Sequence, residues 1–430
     1  MRIGIVTTWF ERGAAYVSRQ YRDVLRHTGH EVFIYARSGE RYAKGDPTWD
    51  TPEVTWGLHS PLPWITSMVR EDFDSWLLRE GIELVIFNEQ QWFPPVLWAR
   101  EANVPAVAYV DYYTEDSMPL FALYDALICN TKRHATAFDW HPHCLYIPWG
   151  TNTRLFQPSM EGCTGKDAPV FFHSAGVDPL RKGTDLVLEA FANIQGMSRL
   201  VIHSQWPLHK TLPSALPRIQ ELSLAGRLML HEGEVSAPGL YHLGDVYVYP
   251  SRLEGIGLTQ VEALACGLPL IVPDWPPMNE FVTPDSGRTV PVDRIWARTD
   301  GYYWPQCRVS VDNLTAAMQF YVDNFDSLPE ARFRARAFAE AHHDWYSNAA
   351  RLGDLLAHVR ARPVTGAHWA AIWAFHRKNE TCAYKLARVA PRTWCFLATI
   401  RRLLRHMKGT SQEATGTSQA TMKDDYLLRL

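Results

Sequence analysis

Two long stretches of this chain repeat one pattern: a short apolar run, a turn marked by glycine or proline, a helical stretch with one apolar face, and another apolar run. Strands covered by helices on both faces read as near-continuous apolar runs, so the pattern predicts parallel sheet and an α/β fold. In the first half the runs are Arg2–Thr7, Glu31–Tyr35, Leu84–Phe87, Ala106–Val110, Ala126–Cys129 and Leu145–Ile147. The second half has Val170–Ser174, Leu200–His203, Arg227–Leu230, Val246–Tyr249, Leu268–Val272 and Arg288–Val292. The 430 residues exceed one ordinary core. Two Rossmann-like, doubly wound domains facing across a cleft are therefore expected, with ligands beyond the carboxyl ends of the strands.

Between the two sets, Gly150–Pro158 and the polar segment Glu161–Asp167 read as a linker, which places the boundary near 155–168. The expected organisation is a first domain over 1–155 and a second over 156–345, then a helix over 346–361 that returns to the first. Amphipathic candidates near that end are Ala331–His343 and Tyr346–Arg360. Residues 362–408 hold ten Lys or Arg against the single acid Glu380, interleaved with Trp369, Trp373, Phe375, Tyr384, Trp394 and Phe396. From Gly409 the Ser/Thr/Gly-rich residues 409–430 are expected to be disordered.

A formal net charge of −3 gives no general reason to expect nucleic acid as a partner. The seven cysteines, Cys129, Cys144, Cys163, Cys266, Cys307, Cys382 and Cys395, contain no Cys-x-x-Cys pair, which argues against a disulfide framework or zinc ribbon. The amino terminus is too briefly apolar for a signal peptide, and no long apolar span occurs. A reducing, cytoplasmic setting fits best.

The most informative segment runs from Tyr249 to Pro269. A buried-strand pattern enters a Gly255-Ile256-Gly257 turn and then a helix with Val261, Leu264 and Ala265 on one face, closed by Gly267. The glycines let backbone approach a ligand closely, and the helix start offers free amides to a phosphate. Glu262 sits among Val, Ala and Leu, where a carboxylate needs donors; a ribose diol would supply two. For an isolated Glu the plainer reading is a partly exposed helix position, but Glu254 eight residues earlier favours a site. A second segment, His173 to Phe191, also reads as strand, glycine turn and helix, with Arg181 and Lys182 placed to neutralise a diphosphate. Taken alone, that pair reads as two solvated cations.

Together these segments resemble the retaining GT-B glycosyltransferases of family 4. The family's Glu-x7-Glu motif matches Glu254 and Glu262, within Glu254-Gly255-Ile256-Gly257-Leu258 and Glu262-Ala263-Leu264-Ala265-Cys266-Gly267-Leu268-Pro269. Its Lys-Gly pair matches Lys182-Gly183, and the likeness extends to Gly29-His30-Glu31-Val32 and Ile147-Pro148-Trp149-Gly150. The resemblance spans roughly residues 1–360. It implies an acceptor domain first and a nucleotide-sugar donor domain second, and retaining, hexosyl-type transfer with no metal or other cofactor. Glu262 would bind the donor ribose, and Glu254 the transferred sugar. Lys182 and Arg181 would hold the diphosphate, with Gly255, Ile256, Gly257, Leu258, Thr259 and Gly13 completing the donor site. Catalytic roles fall on Glu254, Lys182 and Asp111.

Two departures stand out. The family's usual diphosphate Arg slot is Val177 here, with Arg181 a substitute from the other side. Where many members carry a His at a strand end of the first domain, this chain has Asp111, consistent either with a donor differing near C6 or with a structural capping role. Asp72-Phe73-Asp74 reads as surface charge on a helix, His141-Pro142-His143-Cys144 as loop histidines, and Asn88–Trp92 as a strand end able to meet an acceptor.

The expected partners are a nucleotide sugar and a saccharide or lipid-linked acceptor in surface polysaccharide synthesis. The tail over 362–408 fits an anionic membrane face, making the protein peripheral on the inner side of the cytoplasmic membrane, or equally a helical hairpin packed on the first domain. Rival functions are a GT-B sugar phosphorylase, a nucleotide-sugar epimerase, and a non-catalytic glycosyltransferase-like subunit.

Overall fold

The computed structural model describes residues 1–37, 43–159, 167–390, 392–394 and 397, apart from the side chain at 388. The linker residues 161–166, Cys163, Cys395, Phe396 and the segment 398–430 lie outside the described residues. Fifteen strands are described: β1 (Arg2–Thr7), β2 (Glu31–Ala36), β3 (Val54–Trp56), β4 (Leu84–Asn88), β5 (Ala106–Tyr109), β6 (Ala126–Cys129) and β7 (Cys144–Tyr146), followed by β8 (Val170–Gly176), β9 (Arg199–Ser204), β10 (Leu228–Glu232), β11 (Val246–Val248), β12 (Leu270–Pro273), β13 (Gly287–Val290), β14 (Val292–Trp296) and β15 (Gln306–Val309).

The first sheet has the order β3-β2-β1-β4-β5-β6-β7, and the second β10-β9-β8-β11-β12-β13. Pairing is parallel between β1 and both neighbours, and throughout the second sheet. Both sheets are Rossmann-like, as the doubled alternation predicted. The described chain forms two compact units: Met1–Ile128 with His141–His143 and the chain from Gly353, and Cys129–Trp140 with Cys144–Leu352.

Strands β4, β5, β6, β11 and β12 are buried along their whole length, which is why they read as unbroken apolar runs. In the second unit the helix Thr184–Ala192 packs Leu186, Val187 and Phe191 into a core with Phe171, Leu200, Ile202 and Val248. The helix Leu258–Ala265 places Ala263 and Leu264 in a second cluster with Phe172, Tyr247 and Leu270. The two faces of this sheet are thereby filled.

Three readings need correction. Tyr346–Arg360 is not one helix: Trp345–Asn348 starts where the Asp344 side chain accepts from Ser347 N, and a separate helix covers Leu352–Ala357. Its Gly353 lies against His30, where a Cβ would meet Nε2 at 2.0 Å. Asp72 is not merely surface charge, since its Oδ2 accepts from Tyr35 Oη at 2.5 Å and from Leu58 N at 2.8 Å, tying the helix Arg70–Arg79 to β2 and the loop after β3. Finally, Val292 does not end the strand set, because β14 and β15 form an antiparallel pair of their own.

Candidate active site

In an open parallel sheet the loops diverge where strand order reverses, and ligands bind there. In the second sheet that point lies between β8 and β11, because β9 follows on one side of β8 and β11 stands on the other. The loops leaving β8 and β11 carry Arg181-Lys182 and Glu254-Gly255-Ile256-Gly257 respectively. His173 fixes their roots. Fully buried in β8, it bonds Val248 O at 2.8 Å through Nδ1 and Thr184 Oγ1 at 2.8 Å through Nε2. Burial draws its pKa down to about 4, so the ring is neutral at pH 7.

The β8 loop is shaped by its own residues. Asp178 accepts from Arg181 N and caps the short turn Pro179–Lys182, which ends at left-handed Gly183, φ 77°. A Cβ on Gly183 would lie 2.3 Å from Pro250 O, so only glycine lets the two loops come this close. The loops are further tied where Arg252 N donates to Arg181 O at 2.8 Å.

At their meeting point Glu254 is buried, and its Oε1 accepts from Lys182 Nζ at 2.8 Å, Arg181 Nη1 at 3.0 Å and Ser251 Oγ at 2.5 Å. Burial would raise this carboxyl, but Lys182 and Arg181 overcome it and hold the pKa at about 2. Lys182 also donates to Tyr249 Oη and lies 4.8 Å from that ring's centroid. Burial lowers its pKa to about 8 against the pull of Glu254. The Arg181-Lys182 pair is therefore not a pair of solvated cations; both side chains converge on one carboxylate.

Beyond Glu254 the chain turns through left-handed Gly257, φ 86°, into the helix Leu258–Ala265. Gln260 is fully buried against Gly257, and neither of its amide atoms has a partner among the described residues. Glu262 is half-buried; its Oε2 accepts from Tyr241 Oη at 2.5 Å, and burial raises its pKa despite that bond. Arg133 holds this turn from below, donating to Glu254 O at 2.6 Å and Pro276 O at 2.9 Å.

The structure thus gathers Arg181, Lys182, Glu254–Thr259 and Glu262 in the second unit, while Gly13 and Asp111 belong to the first. Gly13 opens the helix Gly13–His27, and Asp111 stands two residues past β5, half-buried. Val177 is 55% exposed. Sequence reasoning missed Ser251, Tyr249, Tyr241 and Arg133. The first two lie inside the quoted segment, whereas nothing near Arg133 marks it. The Asn88–Trp92 strand end is largely committed internally: Asn88 Nδ2 donates to Ala14 O and Ser18 Oγ, both at 2.8 Å, and Gln90 Nε2 to Trp92 O at 2.6 Å. His141 bonds Tyr124 O at 3.1 Å, and among the described residues no group of three His, Cys, Asp or Glu is placed to hold a metal ion.

Residues 168–298, which span the whole Lys182–Glu254–Glu262 cluster, match the family model of glycosyl transferases group 1. Over that segment the chain is similar to the glycosyl transferases group 1. The lipopolysaccharide core biosynthesis mannosyltransferase LpsB of Rhizobium meliloti is 28% identical over 196 residues, 41% of this chain and 54% of that protein. A GDP-mannose-dependent alpha-(1-6)-phosphatidylinositol dimannoside mannosyltransferase of Mycobacterium tuberculosis is 27% identical over 180 residues, 39% of this chain and 45% of that protein. The chain therefore spans about half the length of these curated relatives. Among solved structures, Anabaena HepE in complex with UDP-glucose superposes with a TM-score of 0.64 at 15% identity, covering 83% of this chain and 99% of that one. The likeness places the two units in the GT-B fold.

Proposed function

We propose that the protein is a retaining, hexosyl-type glycosyltransferase that takes a sugar from a nucleotide-diphosphate sugar and passes it to a saccharide or lipid-linked acceptor. The observation that carries this reading is the convergence of Lys182 and Arg181 on Glu254 at the sheet's switch point, beside a Gly-x-Gly turn that opens a helix. When the bond from C1 to the diphosphate oxygen breaks, negative charge grows on the leaving diphosphate. Lys182 and Arg181 are already in place to neutralise it, and the amides of Gly257–Thr259 add the helix-start field. Preorganised charge of this kind needs no metal, and none is invoked. Glu254 keeps Oε2 outside its three Oε1 bonds, where a hydroxyl of the transferred sugar can donate. Glu262 meets the ribose diol, with Tyr241 exchanged for or shared with a ribose hydroxyl.

The sequence relatives that match this domain are named as mannosyltransferases, one of them GDP-mannose-dependent, which makes a mannosyl donor the first to try. HepE, bound to UDP-glucose, supplies the alternative. Gly13 and Asp111 are assigned to the sugar-facing side of the first unit, in cytoplasmic synthesis of surface glycoconjugates. Dependence of the reaction on phosphate would identify a phosphorylase instead.

Calorimetric titration with GDP, UDP, ADP, CMP and dTDP tests the donor site. One nucleotide should bind tightly and lose about 10- to 100-fold in affinity in both Lys182→Ala and Glu262→Ala, as for charge-assisted contacts. Binding of none would withdraw the roles given to Glu254, Glu262 and Lys182 and leave the non-catalytic subunit.

A further inference from the structure

A second basic constellation lies in the same unit, on the β14–β15 pair. Arg294 stands directly opposite Arg308 in the antiparallel register. Opposed residues share a face, and like charges in that position weaken a ladder. Alternation puts Trp296 on the same face as Arg294, and a bulge between Val292 and Arg294 sets that facing. Arg308 is met by Asp293 at 3.1 Å, whereas no ion pair is formed by Arg294 among the described residues. Arg252 completes the group; its buried guanidinium forks onto Asp185 at 2.9 and 2.7 Å. Arg252, Arg294, Trp296 and Arg308 line a cavity of about 320 Å³.

Three guanidinium groups against two carboxylates leave one positive charge in surplus, at a place where the fold gains nothing from opposing two arginines. We propose that these four residues form a binding site for a saccharide bearing a phosphate or carboxylate group. Guanidinium forks match the oxygens of either anion, and an indole face packs well on the C–H face of a sugar ring. The volume is at the low end for small-molecule pockets and suits one monosaccharide. The site differs from the donor turn, whose carboxylate is held by Arg181, Lys182 and Ser251. Arg252 also donates to Leu180 O, which fixes its guanidinium beside the donor turn without drawing on Lys182.

Calorimetry on the full chain with glucose 6-phosphate, glucuronate, inorganic phosphate and glucose decides the matter. Glucose 6-phosphate or glucuronate should bind saturably, and glucose should not. Arg294→Ala, which removes an exposed side chain that forms no ion pair among the described residues and whose guanidinium lies 5.7 Å from the Trp296 ring centroid, should weaken binding about tenfold or more while leaving the melting temperature unchanged. Trp296→Ala should reduce the sugar phosphate to the affinity of inorganic phosphate, and Lys182→Ala should change nothing. Absence of saturable binding by both sugar acids, indifference to Arg294→Ala, or loss in Lys182→Ala would each overturn the proposal, the last by assigning the anion to the donor turn.

Discussion

Lys182 and Glu254 are 72 positions apart in sequence and 2.8 Å apart in space, both largely shielded from water. A buried pair broken on one side leaves the other charge uncompensated, which costs about 3–5 kcal/mol. Glu254→Gln should therefore lower the thermal transition by roughly 6–20 °C. The pH dependence gives an independent check. The folded carboxyl sits near 2, below its ordinary 4.5, so its stabilisation is complete above 4.5 and is lost as pH falls toward 2. The gap between wild type and Glu254→Gln should close over that interval; a constant gap would show that charge is not its cause.

Binding of the nucleotide should also depend on pH. Lys182 in the free protein loses its proton near pH 8, because burial disfavours the ammonium. Raising pH through about 8 removes one positive charge from the diphosphate site and weakens binding. Lys182→Arg stays charged throughout, so its affinity should show no break there. A break that persists in the Arg variant belongs to another group.

Gly183 is required for two separable reasons, a left-handed backbone and contact with Pro250 O. Gly226 shares the first, at φ 68°, but a Cβ there meets nothing within 4 Å. Gly226→Ala should cost about 1–2 kcal/mol, the backbone penalty alone. Gly183→Ala should cost more, and in addition should weaken nucleotide binding by displacing Lys182. Equal losses in the two variants, measured by urea unfolding, would remove the steric argument.

The sequence disclosed those parts of the fold that rest on short-range pattern. Strands β4, β6 and β12 are apolar along their length because helices cover both faces, and periodicity reports that directly. The three-residue β3 and the polar β14–β15 pair carry no such signal; Arg294, Arg308 and Asp293 look like loop residues until register places them. The donor motif was legible because Glu254, the Gly-x-Gly turn and Glu262 are close in the chain. Arg133, which reaches the Glu254 carbonyl from 121 residues away, was not, since only tertiary folding brings it there. Asp72 failed for a related reason: a charged helix position reads as solvated unless its partner, Tyr35, is known.

His376 gives the carboxy-terminal helices a pH signature. It is buried in the helix Gly366–Lys378, 4.4 Å by ring centroids from Trp64 and packed on Tyr384, with neither ring nitrogen bonded among the described residues. Burial lowers its pKa from 6.5 to about 4, so the unfolded chain binds the extra proton first as pH falls. Stability contributed by this site is complete above 6.5 and declines toward pH 4. His376→Phe should abolish that decline and leave stability at pH 7 unchanged or raised, as read from thermal melts across the interval.

The same helices test the membrane reading. Gly366–Lys378 and Cys382–Val389 each keep an inner face on the first unit, through Phe375 against Phe93 and Tyr384 against Trp64. Trp373, Arg377, Lys385 and Val389 remain exposed on their outer faces. Packing as a hairpin and docking on an anionic surface are thus compatible, since they use opposite sides. Deleting everything from Arg362 would confuse the two, because Arg362 bonds Asp125 and Ala122 O inside the first unit. Charge reversal at the exposed positions is cleaner. Each basic residue near an anionic bilayer contributes ~1 kcal/mol, so Arg377→Glu with Lys385→Glu should cut flotation with phosphatidylglycerol vesicles by at least about tenfold. Neutral phosphatidylcholine vesicles should float neither protein. Equal flotation of the wild type and the double variant would leave the hairpin as a structural element alone.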